Sequence, residues 1–230
     1  LDDALIKTLQ RFDTPTVCNA LELLIPERRG YGFTTSQLVC TRPELPPVIG
    51  YARTATIRAA HPSDLSGKEA RALSDNYYEY IDRGPKPSIA VIQDLDGNNG
   101  YGCLWGEVNS NIHMGFGCQG VITDGGVRDV PDIAPGFQML AASVLPSHAF
   151  VHVVDYSRPV DVARDSLRAT TSSRVLYIFF AENNNKRRRS SYTLSRTLHT
   201  PQQRRRRFGR PAAGGPPTPA PRRGQERRCR

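Results

Sequence analysis

The chain has 230 residues and a formal net charge of +9, from 31 Lys and Arg against 22 Asp and Glu. It contains no run of roughly 18 apolar residues, so no membrane-spanning helix is predicted. Its five scattered cysteines form no Cys-x-x-Cys pair, which argues against a disulfide-built scaffold and is typical of a reducing compartment. No signal peptide is visible, and we expect a cytoplasmic protein.

The charge divides the chain into two parts. Residues 1–163 carry 13 Lys and Arg against 19 Asp and Glu, a net charge of −6, whereas residues 164–230 carry 18 against 3, a net charge of +15. The second part holds runs of four basic residues at 186–189 and 204–207 and a segment rich in Pro and Gly at 211–225. It has too few apolar residues to bury a core. We therefore predict a folded domain at 1–163 and a disordered basic tail at 164–230.

The first half of the domain alternates helices with a strand. An amphipathic helix is predicted over residues 1–12, and a second helix begins at Thr14 and runs to about Ile25, with Pro15 at its start. Residues 48–59 alternate well enough to form a strand, and residues 66–81 have the spacing of an amphipathic helix. Alternation of this kind over about 160 residues predicts a single α/β domain.

A strand–helix–strand unit follows in the middle of the chain. The first strand is predicted at 88–95, the helix begins at Gly106, and the second strand covers 119–123. Gly115 and Gly117 end the helix. The apolar residues of this helix fit an amphipathic pattern imperfectly: Val108, Ile112, Met114 and Phe116.

The second strand of this unit leads to a cation and a carboxylate that are adjacent in sequence. The run 124–126, Asp-Gly-Gly, predicts a tight turn in which glycine permits a positive φ, and the turn places Arg128 and Asp129 at the rim of the sheet. Ligands of open α/β sheets bind at this rim. The helix N-terminus at Gly106 adds unpaired backbone N–H groups that suit a carboxylate or a phosphate. The pattern predicts a site that can hold an acid substrate and a metal ion side by side.

Four stretches of this region resemble the RraA-like family. They are Gly-Glu-Val-Asn at 106–109, Thr-Asp-Gly-Gly-Val-Arg-Asp at 123–129, His-Ala-Phe-Val-His-Val at 148–153 and Arg-Pro-Val at 158–160. The resemblance covers residues 1–163 and implies a three-layer, swivelling α/β domain. The enzymatic members of this family are 4-hydroxy-4-methyl-2-oxoglutarate aldolases, which also decarboxylate oxaloacetate.

The resemblance implies a role for each matching residue. Arg128 would grip the carboxylate and keto oxygens of a pyruvate-like group, because its planar fork donates two hydrogen bonds to one carboxylate. Asp129 would bind a divalent cation, Mg²⁺ or Mn²⁺. The backbone amides of Gly106, Glu107, Val108 and Asn109 would hold the other end of the substrate. The family often has leucine in place of Asn109, so this contact is expected from the main chain.

The function implied is that of a metal-dependent carbon–carbon lyase that acts on a small 2-oxo acid through an enolate, as a homo-oligomer, a trimer or hexamer. A second hypothesis is a non-catalytic regulator, because proteins of this fold also inhibit an RNA-degrading enzyme. A third is nucleic-acid binding through the basic tail. The tail offers no aromatic residue near its basic runs beyond Phe208, so we do not expect a nucleic-acid partner.

Other polar patterns have simpler interpretations. The stretch 94–100 resembles a calcium loop superficially, but its glycine is misplaced, and a polar loop is predicted. His148 and His152 fit one face of a strand, where packed or hydrogen-bonded histidines are expected rather than a metal site. An Arg-Asp pair after glycines can be a surface ion pair or a helix cap, and Glu107 can simply stabilise a helix N-terminus.

The end of the domain departs from the family pattern. The family normally continues past Arg-Pro-Val at 158–160 into a glycine-bearing turn and further strands, and here the likeness stops at about Ala163. We interpret residues 164–230 as a gene-model artefact, such as a shifted reading frame or a retained intron, in preference to a genuine basic tail; the coding DNA distinguishes the two. A sheet without its last strands exposes an edge, so this translation can be inactive.

Overall fold

The computed structural model describes most of the first 163 residues and two strands beyond them. The described residues are 1–30, 33–34, 36–97, 100–163, 167–169 and 176–179.

The chain divides into two units by its internal contacts, Leu1–Ser190 and Ser191–Arg230. The second unit lies wholly outside the described residues, as does most of the predicted tail. The predicted disorder of the tail therefore lies outside the described residues and stays a prediction, as does the boundary at 163. Two strands are present on its C-terminal side.

Helices and strands alternate along the described chain. The α-helices are α1 (Asp3–Leu9), α2 (Thr14–Leu24), α3 (Gly67–Asp82) and α4 (Glu107–Gly115), and short 3₁₀ helices cover Pro26–Arg28 and Val130–Asp132. The strands are β1 (Val39–Cys40), β2 (Val48–Arg58), β3 (Ser88–Asp94), β4 (Cys103–Trp105), β5 (Cys118–Val127), β6 (Gln138–Val144), β7 (His152–Tyr156), β8 (Val160–Val162), β9 (Leu167–Ala169) and β10 (Leu176–Phe179).

Polar side chains cap the first three helices, and the first helix is shorter than the predicted 1–12. Asp2 accepts the backbone N–H of Leu5 at the start of α1. Asp13 caps α2, which has a proline in its first turn. Ser66 and Glu69 form a reciprocal capping box at the start of α3. Each of these side chains satisfies backbone groups that have no partner within the helix.

One mixed sheet organises the domain, with the strand order β1-β6-β5-β3-β2-β10. Strands β2, β3, β5 and β6 are mutually parallel, whereas β7 and β10 pair antiparallel with different halves of β2. The pairing of β3 with β5 ends at Thr123, and β4 pairs with the C-terminal end of β5, at Gly126 and Val127. Strands β8 and β9 form a separate antiparallel pair.

Both faces of the central sheet are covered, which is why β3 is apolar almost throughout. On one face, Ala90 and Ile92 pack in a core with Tyr77 of α3 and with Trp105. On the other face the core contains these residues: Val48, Ala52, Ile89, Val91, Ile122, Val160, Val162 and Ala163. The predicted α/β class is confirmed.

The glycine pair at 125–126 lies inside β5, and the predicted tight turn is wrong. Neither glycine has a positive φ; the left-handed residue is Asp129, with a φ of 51°. A Cβ on Gly126 would lie 2.7 Å from Cδ1 of Leu145, and a Cβ on Gly100 would lie 2.4 Å from the backbone N of Gly126. Close packing of a loop and a side chain on the strand therefore explains the glycines.

Candidate active site

The structure brings Gly106 next to Arg128 and Asp129. Gly106 follows β4, Arg128 follows β5, and the two strands run parallel with Trp105 opposite Val127. The backbone N–H of Arg128 donates to the carbonyl oxygen of Trp105 at 2.9 Å. The start of α4 and the Arg-Asp pair therefore lie at the same carboxyl edge of the sheet.

A side chain at Gly106 would crowd the side chains of Arg128 and Asp129. A Cβ at this position would lie 2.6 Å from Oδ2 of Asp129 and 3.2 Å from Cγ of Arg128. The φ of Gly106 is −171°, an extended value open to any residue, so the reason for a glycine here is the space beside the Arg-Asp pair and not backbone conformation. Its absence of a side chain leaves the N-terminus of α4 open toward the Arg-Asp pair.

Arg128 and Asp129 form an ion pair, with Nε of Arg128 3.3 Å from Oδ2 of Asp129. Their side chains are 36% and 39% exposed, so solvent screens the pair and its contribution to stability is small. Asp129 has a left-handed backbone, and its carbonyl oxygen accepts the N–H of Asp132 at 2.9 Å. The ion pair engages Nε, and the guanidinium also carries two Nη groups that are able to donate to a ligand.

The first turn of α4 offers backbone N–H groups to this site. Glu107 and Val108 are exposed. The side chain of Asn109 donates to the carbonyl oxygen of Leu104 at 2.6 Å and accepts from the hydroxyl of Tyr78 at 2.8 Å. Any ligand contact by Asn109 is therefore left to its main chain, as the sequence suggested.

The family is identified by its sequence model. The model of the RraA-like family, described as Aldolase/RraA, matches residues 14–169. The chain belongs to the RraA-like family. No curated protein sequence matches the chain significantly. None of the helices in the described residues has the length and apolar character needed to cross a membrane.

Solved structures share the fold of this RraA-like chain at low sequence identity. RraAS2 of Streptomyces coelicolor, described as an unusual member of the RNase ES inhibitor RraA protein family, is 19% identical, with a TM-score of 0.51 over 80% of this chain and 89% of that one. A structure described as one of novel cellulases from gut-associated microbes is 16% identical, with a TM-score of 0.59 over 79% and 80%. An uncharacterized protein from Pseudomonas syringae pv. tomato str. DC3000 is 18% identical, with a TM-score of 0.52 over 70% and 67%.

A buried histidine supports α4 of the RraA-like domain, and the sequence analysis missed it. Nδ1 of His113 lies 2.7 Å from the carbonyl oxygen of Asn109, and Nε2 lies 2.9 Å from the hydroxyl of Tyr77. A carbonyl oxygen only accepts, so Nδ1 carries the proton and Nε2 accepts from Tyr77. Burial lowers the pKa of His113 to about 4, which keeps it neutral. The sequence did contain one signal for its burial: His113 follows Ser110, the other buried residue of α4, at the spacing of one helical turn, so both lie on the same face of the helix.

Two further carboxylates, those of Asp124 and Asp96, lie near the point where the pairing of β3 with β5 ends. Oδ1 of Asp124 accepts the backbone N–H of Asp94 at 2.6 Å, and burial raises the pKa of Asp124 to about 6. Asp96 accepts the N–H groups of Ala59 and Ala60 and pairs with Arg58, which fixes the following loop. This stretch is the predicted polar loop as far as it is described.

The histidines at 148 and 152 each hydrogen-bond to a nearby backbone carbonyl. Nδ1 of His148 lies 2.8 Å from the oxygen of Ala149, and Nδ1 of His152 lies 2.8 Å from the oxygen of Phe150. The prediction that both histidines lie on one strand is wrong, because β7 begins only at His152. The turn around Ala149, which has a positive φ of 49°, separates His148 from the strand.

The rim carries carboxylates that could hold a divalent cation together with water and a ligand. Mg²⁺ commonly takes one or two protein carboxylates and keeps several waters. Asp129 supplies one partly exposed carboxylate, and Glu107 is exposed on the first turn of α4 beside Gly106. Within the described ranges no cluster of three His, Cys, Asp or Glu side chains is arranged to hold a metal. Asp129 is therefore the residue that could bind one.

Proposed function

We propose that this RraA-like chain is a divalent-metal-dependent carbon–carbon lyase. Its substrates would be small 2-oxo acids, with retro-aldol cleavage of 4-hydroxy-4-methyl-2-oxoglutarate to pyruvate or decarboxylation of oxaloacetate as the reaction. One observation carries the proposal: the side-chain-free Gly106 opens the start of α4 onto Asp129, whose Oδ2 lies 2.6 Å from the place of a Cβ.

This arrangement suits a short dianion. The two Nη groups of Arg128 can grip the carboxylate and keto oxygens at one end of the substrate. The first-turn N–H groups of α4, from Gly106 to Asn109, point along the positive end of the helix dipole and can hold the other end. Substrate binding and orientation would therefore come from one side chain and one stretch of backbone.

Asp129 would hold the Mg²⁺ or Mn²⁺ ion. When bound, the ion supplies Lewis-acid stabilisation of the negative charge that develops on the 2-oxo oxygen. Arg128 adds a second positive charge beside the same oxygen. The carbon that loses CO₂ or the second oxo acid must take up a proton, and Glu107, exposed beside Gly106, can orient the water that delivers it.

The proposal is tested by following pyruvate release from oxaloacetate and from 4-hydroxy-4-methyl-2-oxoglutarate with a lactate-dehydrogenase-coupled assay. We expect turnover with Mg²⁺ that exceeds metal-only decarboxylation and that EDTA abolishes. Asp129→Asn should lower kcat/KM by about 100-fold, because the carboxylate that would hold the cation is lost. Asp132→Asn, an exposed aspartate three residues on, is the matched control and should stay within about twofold. Equal activity of both variants would remove Asp129 from the site.

The open N-terminus of α4 makes a separate prediction. Gly106→Ala should lower kcat/KM for oxaloacetate by about 10-fold or more, because the new methyl group occupies the space beside Asp129. Gly115→Ala, at the other end of α4, adds a Cβ with no atom within 4 Å and should leave activity unchanged. Steady-state kinetics of the two variants measure the difference. An inactive Gly115→Ala variant would show that the effect belongs to the helix and not to the site.

A non-catalytic regulator is the second candidate, and one surface favours it. Helix α2 has no buried residue, and Leu23 and Leu24 at its end are 84% and 77% exposed. Exposed apolar surface of this kind suits a protein partner or a second copy of the chain in a trimer or hexamer. Folded protein that releases no pyruvate under any metal condition would favour the regulator. The free cysteines of the described part are compatible with the cytoplasmic setting we propose.

A further inference from the structure

Ser110 connects two parts of the candidate site, the first turn of α4 and the segment 129–134, which we call its two walls. Its side chain is fully buried on the inner face of α4, one turn from the start of the helix. The hydroxyl donates to the carbonyl oxygen of Glu107 at 2.8 Å and accepts the backbone N–H of Ala134 at 3.0 Å. One oxygen atom therefore binds the first turn of α4 and the segment that follows Asp129.

Both groups bound by Ser110 belong to backbone that forms the site. Glu107 lies in the turn whose N–H groups face the rim, and the backbone N–H of Ser110 itself donates to the oxygen of Gly106 at 3.0 Å. Ala134 ends the segment that begins at Asp129 and includes the short helix Val130–Asp132. A movement of either wall is opposed by the same buried hydroxyl.

The segment after Asp129 is also held from its outer side. Nη2 of Arg42 donates to the carbonyl oxygen of Ile133 at 3.1 Å and lies 3.5 Å from that of Val130. Arg42 therefore fixes the segment to the loop after β1. Its hydrogen bonds go to this segment and to Gln138, and the side-chain hydrogen bond that joins the segment to α4 in the described residues is that of Ser110.

We propose that Ser110 is a positioning residue that sets the distance between the first turn of α4 and the Arg128–Asp129 pair. This role rests on the proposed lyase function. The two walls would hold opposite ends of one small acid, so a change in their spacing weakens the grip on the bound substrate and on the transition state alike. Such uniform loss of binding raises KM and leaves kcat largely unchanged.

Three variants test the proposal in the full chain. Ser110→Ala removes the hydroxyl, and Ser110→Cys removes most of its hydrogen bonding while filling the space. Ser88→Ala is the matched control, since Ser88 is equally buried, in β3, where its hydroxyl lies near the Cys118 thiol of β5. The measurements are kcat and KM for oxaloacetate and hydrogen exchange of peptides covering residues 106–110 and 129–134.

Both Ser110 variants should raise KM about 10-fold with kcat within about threefold of the parent chain. Exchange should accelerate in both peptides together, and Ser88→Ala should change neither quantity. An unchanged KM, or faster exchange in only one of the two peptides, would overturn the positioning role. If the parent chain has no turnover, the lyase proposal fails, whereas the exchange data still decide whether Ser110 couples the two walls.

Discussion

Replacing Arg128 with alanine is expected to lower kcat/KM for oxaloacetate by about 1,000-fold. The variant would lose the fork that grips the substrate and the positive charge beside the developing oxyanion, and removal of one such donor from an active site costs 10²–10³-fold in known enzymes, about 3–4 kcal/mol. Thermal stability should change little, because the ion pair with Asp129 is screened by solvent. The coupled pyruvate assay and a thermal unfolding curve measure the two effects.

A lysine at this position sharpens the test. Arg128→Lys keeps the positive charge but not the planar pair of donors, so its kcat/KM should remain about 100-fold below that of the parent chain. Arg71→Ala, which removes an exposed arginine from α3, is the control and should leave kcat/KM unchanged. If Arg128→Lys were fully active, charge alone would explain the role of Arg128, and the proposed two-point grip would be wrong.

Replacing His113 with asparagine is expected to lower the free energy of unfolding by about 2–4 kcal/mol at pH 7.5. The variant keeps a donor near the carbonyl oxygen of Asn109 but leaves the hydroxyl of Tyr77 unpaired and a gap beside Trp105, whose ring centre lies 4.4 Å from that of His113.

The same replacement should change the response to acid. Burial holds the pKa of His113 at about 4, below its ordinary value of 6.5, so the unfolded chain binds a proton that the folded chain does not. The stabilisation is fully present above pH 6.5 and is lost as the pH falls toward 4. The stability gap between the parent chain and His113→Asn should therefore shrink by about 2–3 kcal/mol between pH 7.5 and pH 4.5.

Denaturant unfolding at several pH values measures this gap. Asp124 titrates in an overlapping range with the opposite sign: its pKa is raised to about 6, so its stabilisation is present below its ordinary pKa of 3.8 and is lost as the pH rises through 6. The contribution of Asp124 is the same in the parent chain and in His113→Asn, so it cancels in the difference between their free energies of unfolding. Tyr77→Phe, which keeps His113 and removes its partner, should retain the acid sensitivity. A gap that does not vary with pH would show that His113 has the same pKa in the folded and the unfolded chain, and the buried, neutral histidine described above would be wrong.

The sequence predicted those parts of the fold that depend on local patterns. The buried strands β2 and β3 are continuous or alternating apolar runs, and α4 begins directly after its N-cap Gly106 and ends at Gly115, before Gly117, which has a positive φ of 75°. The glycines at 125–126 were misread because a turn and a tightly packed strand use the same residue for different reasons. The positions of the loop at Gly100 and of the Leu145 side chain, both packed against the strand, distinguish the two cases.

The site was predictable where its residues are adjacent in sequence and hidden where they are not. Arg128 and Asp129 stand next to each other after a strand, and the structure places Gly106 beside them. Ser110 and His113 were missed because the partners that make them suitable for burial, Ala134 and Tyr77, come from distant elements. The apolar spacing of α4 was correspondingly misleading, since Val108 is 66% exposed.

The pairing of β2 sets a requirement on the order of folding. One edge of β2 is covered by β10 along residues 48–51 and by β7 along residues 55–58. β2 is made early in synthesis, whereas both partners of this edge come from much later in the chain. Contacts so distant in sequence form slowly, and until they form the open backbone of β2 can pair with other chains. The time between synthesis of β2 and of β10 is therefore the period in which this domain is most exposed to misassembly.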